Sequence, residues 1–474
     1  MSVADILANG VRARNGGISG PESSGVVRMQ AFSFLHCADV HLGAPVRGLG
    51  RLPNRLRERL RDAPTEALTR LVATAINREV DAVIIAGDLF DADERNLRAH
   101  AELREQLQHL DDAGIPSFIV TGNHDPLGGL STGVRLPAST HVFGPDVESV
   151  PLRRDGTEIA RIYGVSYTKS ATYENLASAF PRNPDGDFTI GILHTNVGDQ
   201  TGHDPYAPCQ LSDLTQTGFD YWALGHVHTR ATLHSRAPIV HYPGNPQGLH
   251  TREPGARGAT LVAVDQGGRA ELEPIWSDVA RWHRVRTSID ALEAIDELIG
   301  AFAELAGSIR GSAPNRIHLV RWTLTGSGPL HAELNRPAAD SDLCHVLRAA
   351  QAIRAEGDPV WLERLDIATG ATHDVERLRT QQDYLGDILR LAEEVREAPP
   401  IPSAATIGDE RPPAIDPRGL GASVRAELAQ LLDNPRLTRA VGSDPWLALR
   451  WREIVSHAEA LAIEQLAPTE ANRR

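Results

Sequence analysis

Cysteine is scarce in this chain. Three residues in 474, Cys37, Cys209 and Cys344, lie far apart and form no CxxC pair, which excludes a disulfide framework and a zinc finger. They read as small buried side chains in a protein of a reducing, cytoplasmic compartment. Lysine is almost missing, Lys169 being the only one, so arginine carries the basic charge. No stretch approaches the roughly 20 apolar residues of a membrane span. Residues 1–29 are rich in Gly, Ser and Arg and lack the apolar core of a signal peptide, so they read as a disordered leader or an over-extended gene start. No internal repeat is evident. A positive balance is missing too: the net charge is −14, where a chain that binds nucleic acid unaided usually shows a basic face. One local exception is the run Arg47, Arg51, Arg55, Arg57, Arg59 and Arg61, either a solvated helix face or a phosphate contact.

The length predicts two to four domains. Residues 30–277 alternate strand and helix signals, with helices expected over 56–78 and 96–113. Beyond His228, residues 238–245 and 259–264 look like strands of a second sheet, and the core is expected to close at 277. Residues 278–370 read as a small α/β unit, with strands at 283–287, 316–325 and 359–368 and helices at 291–306 and 343–353. A charged helix follows over 371–398, then a Pro-rich linker over 399–417. The tail, 418–474, reads as helical, with Trp446 and Trp451 on either a core face or a partner-docking face.

What the chain does have is five short apolar runs, each ending in metal-ligand residues. Residues 32–35 precede His36-Cys-Ala-Asp39-Val-His41, and 83–86 precede Gly87-Asp88-Leu-Phe-Asp91. Residues 117–120 precede Gly122-Asn123-His124-Asp125, 189–193 precede His194, and 221–224 precede Gly225-His226-Val-His228. In open α/β sheets ligands gather beyond the carboxyl ends of the strands, so five such loops can converge on one crevice. Asp39 and His41, two apart in extended chain, point the same way, and His226 and His228 repeat that spacing. The expected partition gives one ion Asp39, His41, His228 and a bridging Asp88. The other ion takes Asp88, Asn123, His194 and His226. Two ions about 3.5–4 Å apart can activate a water as nucleophile and polarise phosphoryl oxygens. So many imidazoles favour Mn, Fe or Zn over Mg. His124 adjoins a ligand without being needed as one, which suits it as general acid to the leaving alkoxide, with Asp91 orienting its ring. Asp125 is expected to tie its turn together through backbone N–H groups. His36 reads as structural, and His203, His234, His241 and His250 as surface or supporting histidines, with His241 the nearest to the cleft.

Laid out in this order, the motifs resemble the calcineurin-like metallophosphoesterase superfamily: Asp39-Val-His41, Gly87-Asp88, Gly122-Asn123-His124-Asp125, His194 and Gly225-His226-Val-His228. Within it, the chain resembles the DNA double-strand-break-repair nuclease branch, including the bacterial SbcD proteins. That likeness rests on His36-Cys-Ala-Asp39-Val-His-Leu-Gly43, Gly87-Asp-Leu-Phe-Asp91 and Tyr242-Pro-Gly-Asn-Pro-Gln247. Asp204-Pro-Tyr-Ala-Pro-Cys209 and Asp220-Tyr-Trp-Ala-Leu-Gly-His226 are most similar to the bacterial YhaO-type exonucleases. The resemblance implies a four-layer α/β/β/α sandwich, a capping domain in 278–370 that positions DNA, and two divalent ions, Mn²⁺ first among them. It further implies a DNA exonuclease acting in repair, a coiled-coil SMC-like ATPase as partner docked by the distal helices, and a homodimer as a plausible assembly. The same metal core also serves small-molecule phosphodiesterases and phosphoprotein phosphatases, since fold does not fix substrate. A non-enzymatic scaffold that recruits an ATPase to DNA ends is the third reading.

Overall fold

Alternating side chains on short, apolar strands build the molecule's layers. The structure, a computed structural model, describes residues 29–49, 52–91, 97–127, 135–198, 204–354, 359–371 and 375–397, with Glu459, Ala462 and Ile463. The leader up to residue 28, Arg51, His203, the Pro-rich linker, Trp446 and Trp451 lie outside them. The chain divides into two compact units.

The first unit takes residues 1–286, 299–323 and 340–366. In its first sheet, strands β1 (Phe32–Cys37), β2 (Ala82–Ala86), β3 (Ser117–Val120) and β4 (Thr140–Val142) are parallel. Strand β11 (Gly258–Val264) lies antiparallel to β1, and β12 (Ala270–Trp276) antiparallel to β11. The order is β12-β11-β1-β2-β3-β4. Residues 259–264 therefore belong to the first sheet rather than the second. All of β11 is buried, so its sequence carries no one-faced pattern that would assign it to either sheet.

In the second sheet, strands β6 (Thr157–Gly164), β7 (Thr189–His194), β8 (Tyr221–Gly225) and β10 (Ile239–Tyr242) are parallel. The edges, β5 (Glu148–Arg154) and β9 (Ala231–His234), are antiparallel to their neighbours. The order is β5-β6-β7-β8-β10-β9.

Period-two alternation sorts the core. Phe32, Phe34, Ile84 and Phe118 face Leu152, Ile162, Ile190 and Tyr221 across the gap between the sheets. Leu35, Cys37, Val83, Ile85 and Ile119 point the other way, onto two helices, α2 (Ala63–Asn77) and α3 (Leu97–Asp112). On the far face of the second sheet, Leu193, Trp222 and Leu224 pack against Phe180, Phe219 and Leu214 of α4 (Leu211–Thr215). The result is the expected α/β/β/α sandwich. Each such side chain taken fully from water contributes about 1.5–3 kcal/mol before entropy is subtracted.

A short helix, α1 (Asn54–Arg61), precedes α2, where the sequence suggested one helix over 56–78. The break falls at Asp62, because Pro64 is accommodated in the first turn of a new helix but not inside one. Arg55, Arg57, Arg59 and Arg61 form the exposed side of α1, while Leu56 and Leu60 are buried. Those two leucines share a core with Trp282, Ile317 and Leu319 of a third sheet, formed by β13 (Ala280–Ser288), β14 (Ile317–Thr325) and β15 (Val360–Ile367) in that order. Within this unit Phe302 of α5 (Ile295–Ser312) stacks on Trp322. Arg348 of α7 (Ala339–Arg354) bonds the Leu362 carbonyl at 2.7 Å and lies over Trp361.

The second unit takes 287–298, 324–339 and 367–474. Its turn at Ser327 is held by Asp290, which accepts the Ser327 N–H at 2.6 Å, and it contains the one-turn α6 (His331–Leu334). Leu378 of α8 (Val375–Arg379) packs with Leu385 and Leu389 of α9 (Tyr384–Glu397), and with Ala462 and Ile463. No helix among the described residues is long and apolar enough to cross a membrane.

The two large sheets approach most closely where β2 meets the ends of β7 and β8. A Cβ on Gly225 would sit 1.7 Å from the Ala86 carbonyl oxygen and 2.9 Å from His194 Nδ1. Gly225→Ala is therefore expected to lower unfolding stability by about 1–3 kcal/mol or more in a denaturant titration. Gly300→Ala, in α5 with nothing within 4 Å of the added carbon, is expected to be neutral or stabilising by up to about 1 kcal/mol. Equal midpoints for the two variants would refute this account of the sheet junction.

Candidate metal centre

All five loops that follow the apolar runs open at the same end of the sandwich. Asp39 and His41 follow β1, Asp88 follows β2, and Asn123 and His124 follow β3. From the second sheet, His194 ends β7, and His226 and His228 follow β8. Asp39, His41 and His228 have donor atoms within 4.8 Å of one another, as do Asp39, Asp88 and His194. His41, Asp91 and His124 form an adjoining group.

The backbone is bent to achieve this. Asp39, His41, Asp88 and His226 have φ of 53°, 48°, 51° and 99°. Left-handed backbone at non-glycine residues is uncommon and persists where surroundings over-determine it. Here the surroundings are hydrogen bonds: Asp39 N–H to the Gly87 carbonyl at 3.0 Å, and His41 N–H to the Asp88 carbonyl at 3.0 Å. The Asp39 carboxylate in turn accepts the His226 N–H at 2.9 Å, tying the two sheets together.

The ring nitrogens carry the chemical information. His194 Nδ1 lies 3.0 Å from the Ala86 carbonyl oxygen, which only accepts, so Nδ1 bears the proton and Nε2 a lone pair when the ring is neutral. His226 Nε2 lies 2.8 Å from the Asp204 carbonyl oxygen, so its lone pair is on Nδ1. These lone pairs converge on one oxygen: His194 Nε2 is 3.1 Å and His226 Nδ1 3.2 Å from Asn123 Oδ1. On the other side, His228 Nδ1 donates to Glu253 Oε1 at 2.6 Å, which leaves His228 Nε2 facing His41 Nε2 at 3.1 Å. Acceptors packed against acceptors repel unless a cation or proton sits among them. The donor set, nitrogen and oxygen with no sulfur, fits divalent transition metals.

Asp88 lies between the two halves, its Oδ2 at 3.8 Å from His41 Nε2 and 3.5 Å from His194 Nε2. Burial alone would raise its pKa, but the imidazoles of His194, His41 and His124 outweigh burial and hold it low. Asp88 in turn overcomes burial at His194 and raises that ring to about 9. His41 goes the other way, to about 3, through burial and then the neighbouring His228.

Around this centre the supporting roles separate clearly. Asp125 accepts the Gly122 N–H at 2.8 Å and the Leu89 N–H at 2.6 Å, tying the turn as its position suggested. Burial, then the charge on Asp88, raises its pKa to about 7. His124 is 37% exposed at the rim, with Nδ1 3.2 Å from Asp91 Oδ1, and Arg47 holds the other Asp91 oxygen at 2.9 Å. His36 bonds Tyr221 OH at 3.0 Å and the Leu224 carbonyl, away from the cluster. His241 lies inside β10, bonded to Thr232 and Thr260. His234 bonds carbonyls near its own turn, and His250 Nε2 is 3.4 Å from Glu253. Cys37, Cys209 and Cys344 are free and buried.

Sequence reasoning missed Glu253. It is 4% exposed and accepts from His228, from Asn245 Nδ2 at 3.0 Å and from Leu249 N–H at 2.6 Å. The nearest signal was the run Tyr242–Gln247, whose Asn245 proves to be its partner.

Residues 32–230 match the calcineurin-like phosphoesterase family, and residues 282–370 match the middle domain of metallophosphoesterase YhaO. The uncharacterized metallophosphoesterase YhaO of Bacillus subtilis is 35% identical over 339 residues, covering 71% of this chain and 82% of that protein. The DNA double-strand break repair protein Mre11 of Sulfurisphaera tokodaii is 28% identical over 275 residues, 56% of this chain and 67% of that protein. A subunit of the nuclease SbcCD from Bacillus subtilis is 24% identical over 280 residues, 51% of this chain and 68% of that protein.

If Glu253 fixes the tautomer of His228, Glu253→Gln should weaken metal binding about 10–100-fold while the fold persists. Calorimetric titration with Mn²⁺ or Zn²⁺ reads this directly, and an unchanged affinity would show that Glu253 serves only its loop.

Proposed function

The chain belongs to the calcineurin-like metallophosphoesterases of the YhaO type, and from that premise we propose that it is a manganese-dependent DNA exonuclease acting in DNA repair. As a metallophosphoesterase it is a phosphoester hydrolase of a family that uses divalent metals. The observation that carries a hydrolytic metal site is the cluster itself: the donor groups Asp39, His41, His228 and Asp39, Asp88, His194 have Asp39 in common, Asp88 lies between their imidazoles, and the protonatable ring of His124 is beside them. The substrate class is supported by relatives named as a double-strand break repair protein and a nuclease subunit. The arginines on the exposed side of α1 add a surface suited to a phosphate backbone.

On this reading Asp39, His41, His228 and Asp88 hold one ion, and Asp88, Asn123, His194 and His226 hold the other. When bound, the pair supplies a nucleophile at neutral pH and neutralises charge on the phosphoryl oxygens. The chain's own residues do the rest. His124 sits outside both donor groups, its ring 4.9 Å from that of His41. The Asp91 carboxylate at Nδ1 raises its pKa, against some loss from burial, which favours the protonated ring. Nε2 is then the atom that donates to the departing alkoxide. Asp91, itself held by Arg47, keeps the ring aimed. We assign the cap to residues 278–370 and partner docking, to an SMC-like ATPase, to the distal helices. The name of the SbcCD relative, a subunit, supports an assembly of that kind.

Degradation of linear double-stranded DNA with Mn²⁺ and with Mg²⁺, by wild type and His124→Ala, tests the reading. Mn²⁺-supported degradation is expected in the wild type. His124→Ala keeps the backbone N–H that bonds Asp88 at 3.0 Å, so it should retain metal yet lose about 10²–10⁴-fold in rate. Ready cleavage of bis(4-nitrophenyl) phosphate with DNA left intact would shift the reading to a small-molecule phosphodiesterase.

A further inference from the structure

Next to His228 the first unit carries a half-open pocket of about 160 Å³ whose lining includes Thr229, Arg230, Gly244, Asn245 and Arg257. Two arginines are among the residues that line it, and no Asp or Glu is, among the described residues. Arg230 reaches it from the loop after β8. Its Nη1 donates to Thr260 Oγ1 at 2.6 Å and its Nη2 to the Ala259 carbonyl, and the group lies 5.1 Å over the Trp276 ring. These partners are neutral. Arg257, 8% exposed, donates through Nη1 to the His228 carbonyl and to Asn245 Oδ1, and through Nη2 to the Pro254 carbonyl at 3.1 Å. The carboxylates closest to it in the fold are engaged elsewhere: Glu253 with His228, and Asp278 with Arg281 and Arg316. In both arginines Nε is buried without a hydrogen-bond partner.

A guanidinium stays charged in any protein environment. Taking two such charges out of water, Arg230 against carbonyl and hydroxyl dipoles and the Trp276 face, Arg257 against carbonyls with Glu253 and Asp278 near but bonded elsewhere, is unfavourable, and it is sustained where an anion completes the site. The planar fork of arginine matches phosphate oxygens. His228 connects this pocket to the metal centre: its imidazole faces His41, its carbonyl is held by Arg257, and its chain runs directly into Thr229 and Arg230. A single-phosphate ester has nothing to place here once its phosphorus is at the centre. A polynucleotide has a second phosphate.

We propose that Arg230 and Arg257 form a subsite for a phosphate of the substrate strand other than the one being cleaved, selecting a polynucleotide over a single-phosphate ester. This rests on the nuclease reading above. Arg257 also positions His228, so Arg230 is the residue to vary.

The test compares two thymidine dinucleotides on the metal-loaded enzyme, one with only its internal phosphodiester, the other also phosphorylated at both ends. In the wild type, kcat/KM is expected to be higher for the phosphorylated one by about tenfold or more, the size of a charge-assisted hydrogen bond. Arg230→Gln should bring that ratio close to one. Arg230→Lys, which keeps the charge but not the fork, should give an intermediate ratio and serves if the glutamine variant does not fold. A wild-type ratio of one overturns the subsite, and so does a ratio unchanged in both variants, including equal losses on the two substrates. If the wild type cleaves bis(4-nitrophenyl) phosphate but neither dinucleotide, the nuclease reading itself fails and the subsite with it.

Discussion

The burial of one carboxylate constrains everything around it. Asp88 is 2% exposed, at the junction of two sheets, and its charge is retained because three imidazoles surround it. An isolated carboxylate there would take up a proton. Keeping the imidazoles close enough requires that nothing else occupy the space. A Cβ on Gly122 would lie 2.2 Å from Asp88 Oδ1, and one on Gly87 2.2 Å from His194 Nδ1. With Gly225, these positions leave a shell without side chains around the Asp88–His194 contact. The glycines of the Gly-Asp, Gly-Asn-His-Asp and Gly-His-x-His motifs are thus as much a part of the site as the candidate ligand residues.

The same junction explains why conformational strain gathers here. A strand that simply continued would send Asp39, Asp88 and His226 to alternate faces. Turning each into the left-handed region aims its side chain sideways, into the crevice between the sheets. The cost of order 1–3 kcal/mol at each such residue is offset by the three apolar layers that fix the strand ends. The packed sandwich and the strained loops are therefore coupled: the first holds the second in place.

Much of this was legible in the sequence, for a physical reason. Parallel strands buried on both faces read as short apolar runs, and their ends are where polar ligands collect, so strands and ligand candidates announce each other. The β5–β6 hairpin is marked too, by the Asp155-Gly156 turn, both residues at positive φ. Three features were not legible. Strand β11 is buried throughout and gave no face by which to choose a sheet. Glu253 meets His228 across 25 positions and Arg257 meets its carbonyl across 29, spacings that belong to no repeat or motif. His241 sat in a suggestive motif, yet its ring is satisfied by two threonines inside the sandwich. Local patterns revealed what a strand end offers, while the residues that orient those offerings are known only from the fold.

A chain of net charge −14 and a polyanionic substrate look opposed, and the arrangement of charge reconciles them on the proposed reading. At physiological salt, exposed charges are screened beyond about 8 Å, so the sum over the surface matters less than the potential inside the crevice. There, on that reading, the carboxylates Asp39 and Asp88 would face the bound divalent ions, and Arg230 and Arg257 lie behind His228 with no ion pair to a carboxylate among the described residues. Low-dielectric walls strengthen this local field, whereas the acidic exterior is diluted by solvent. Attraction confined to a crevice favours a strand threaded into the site over a duplex lying along the surface. A basic exterior would hold DNA anywhere; an acidic one leaves the binding energy where the chemistry is.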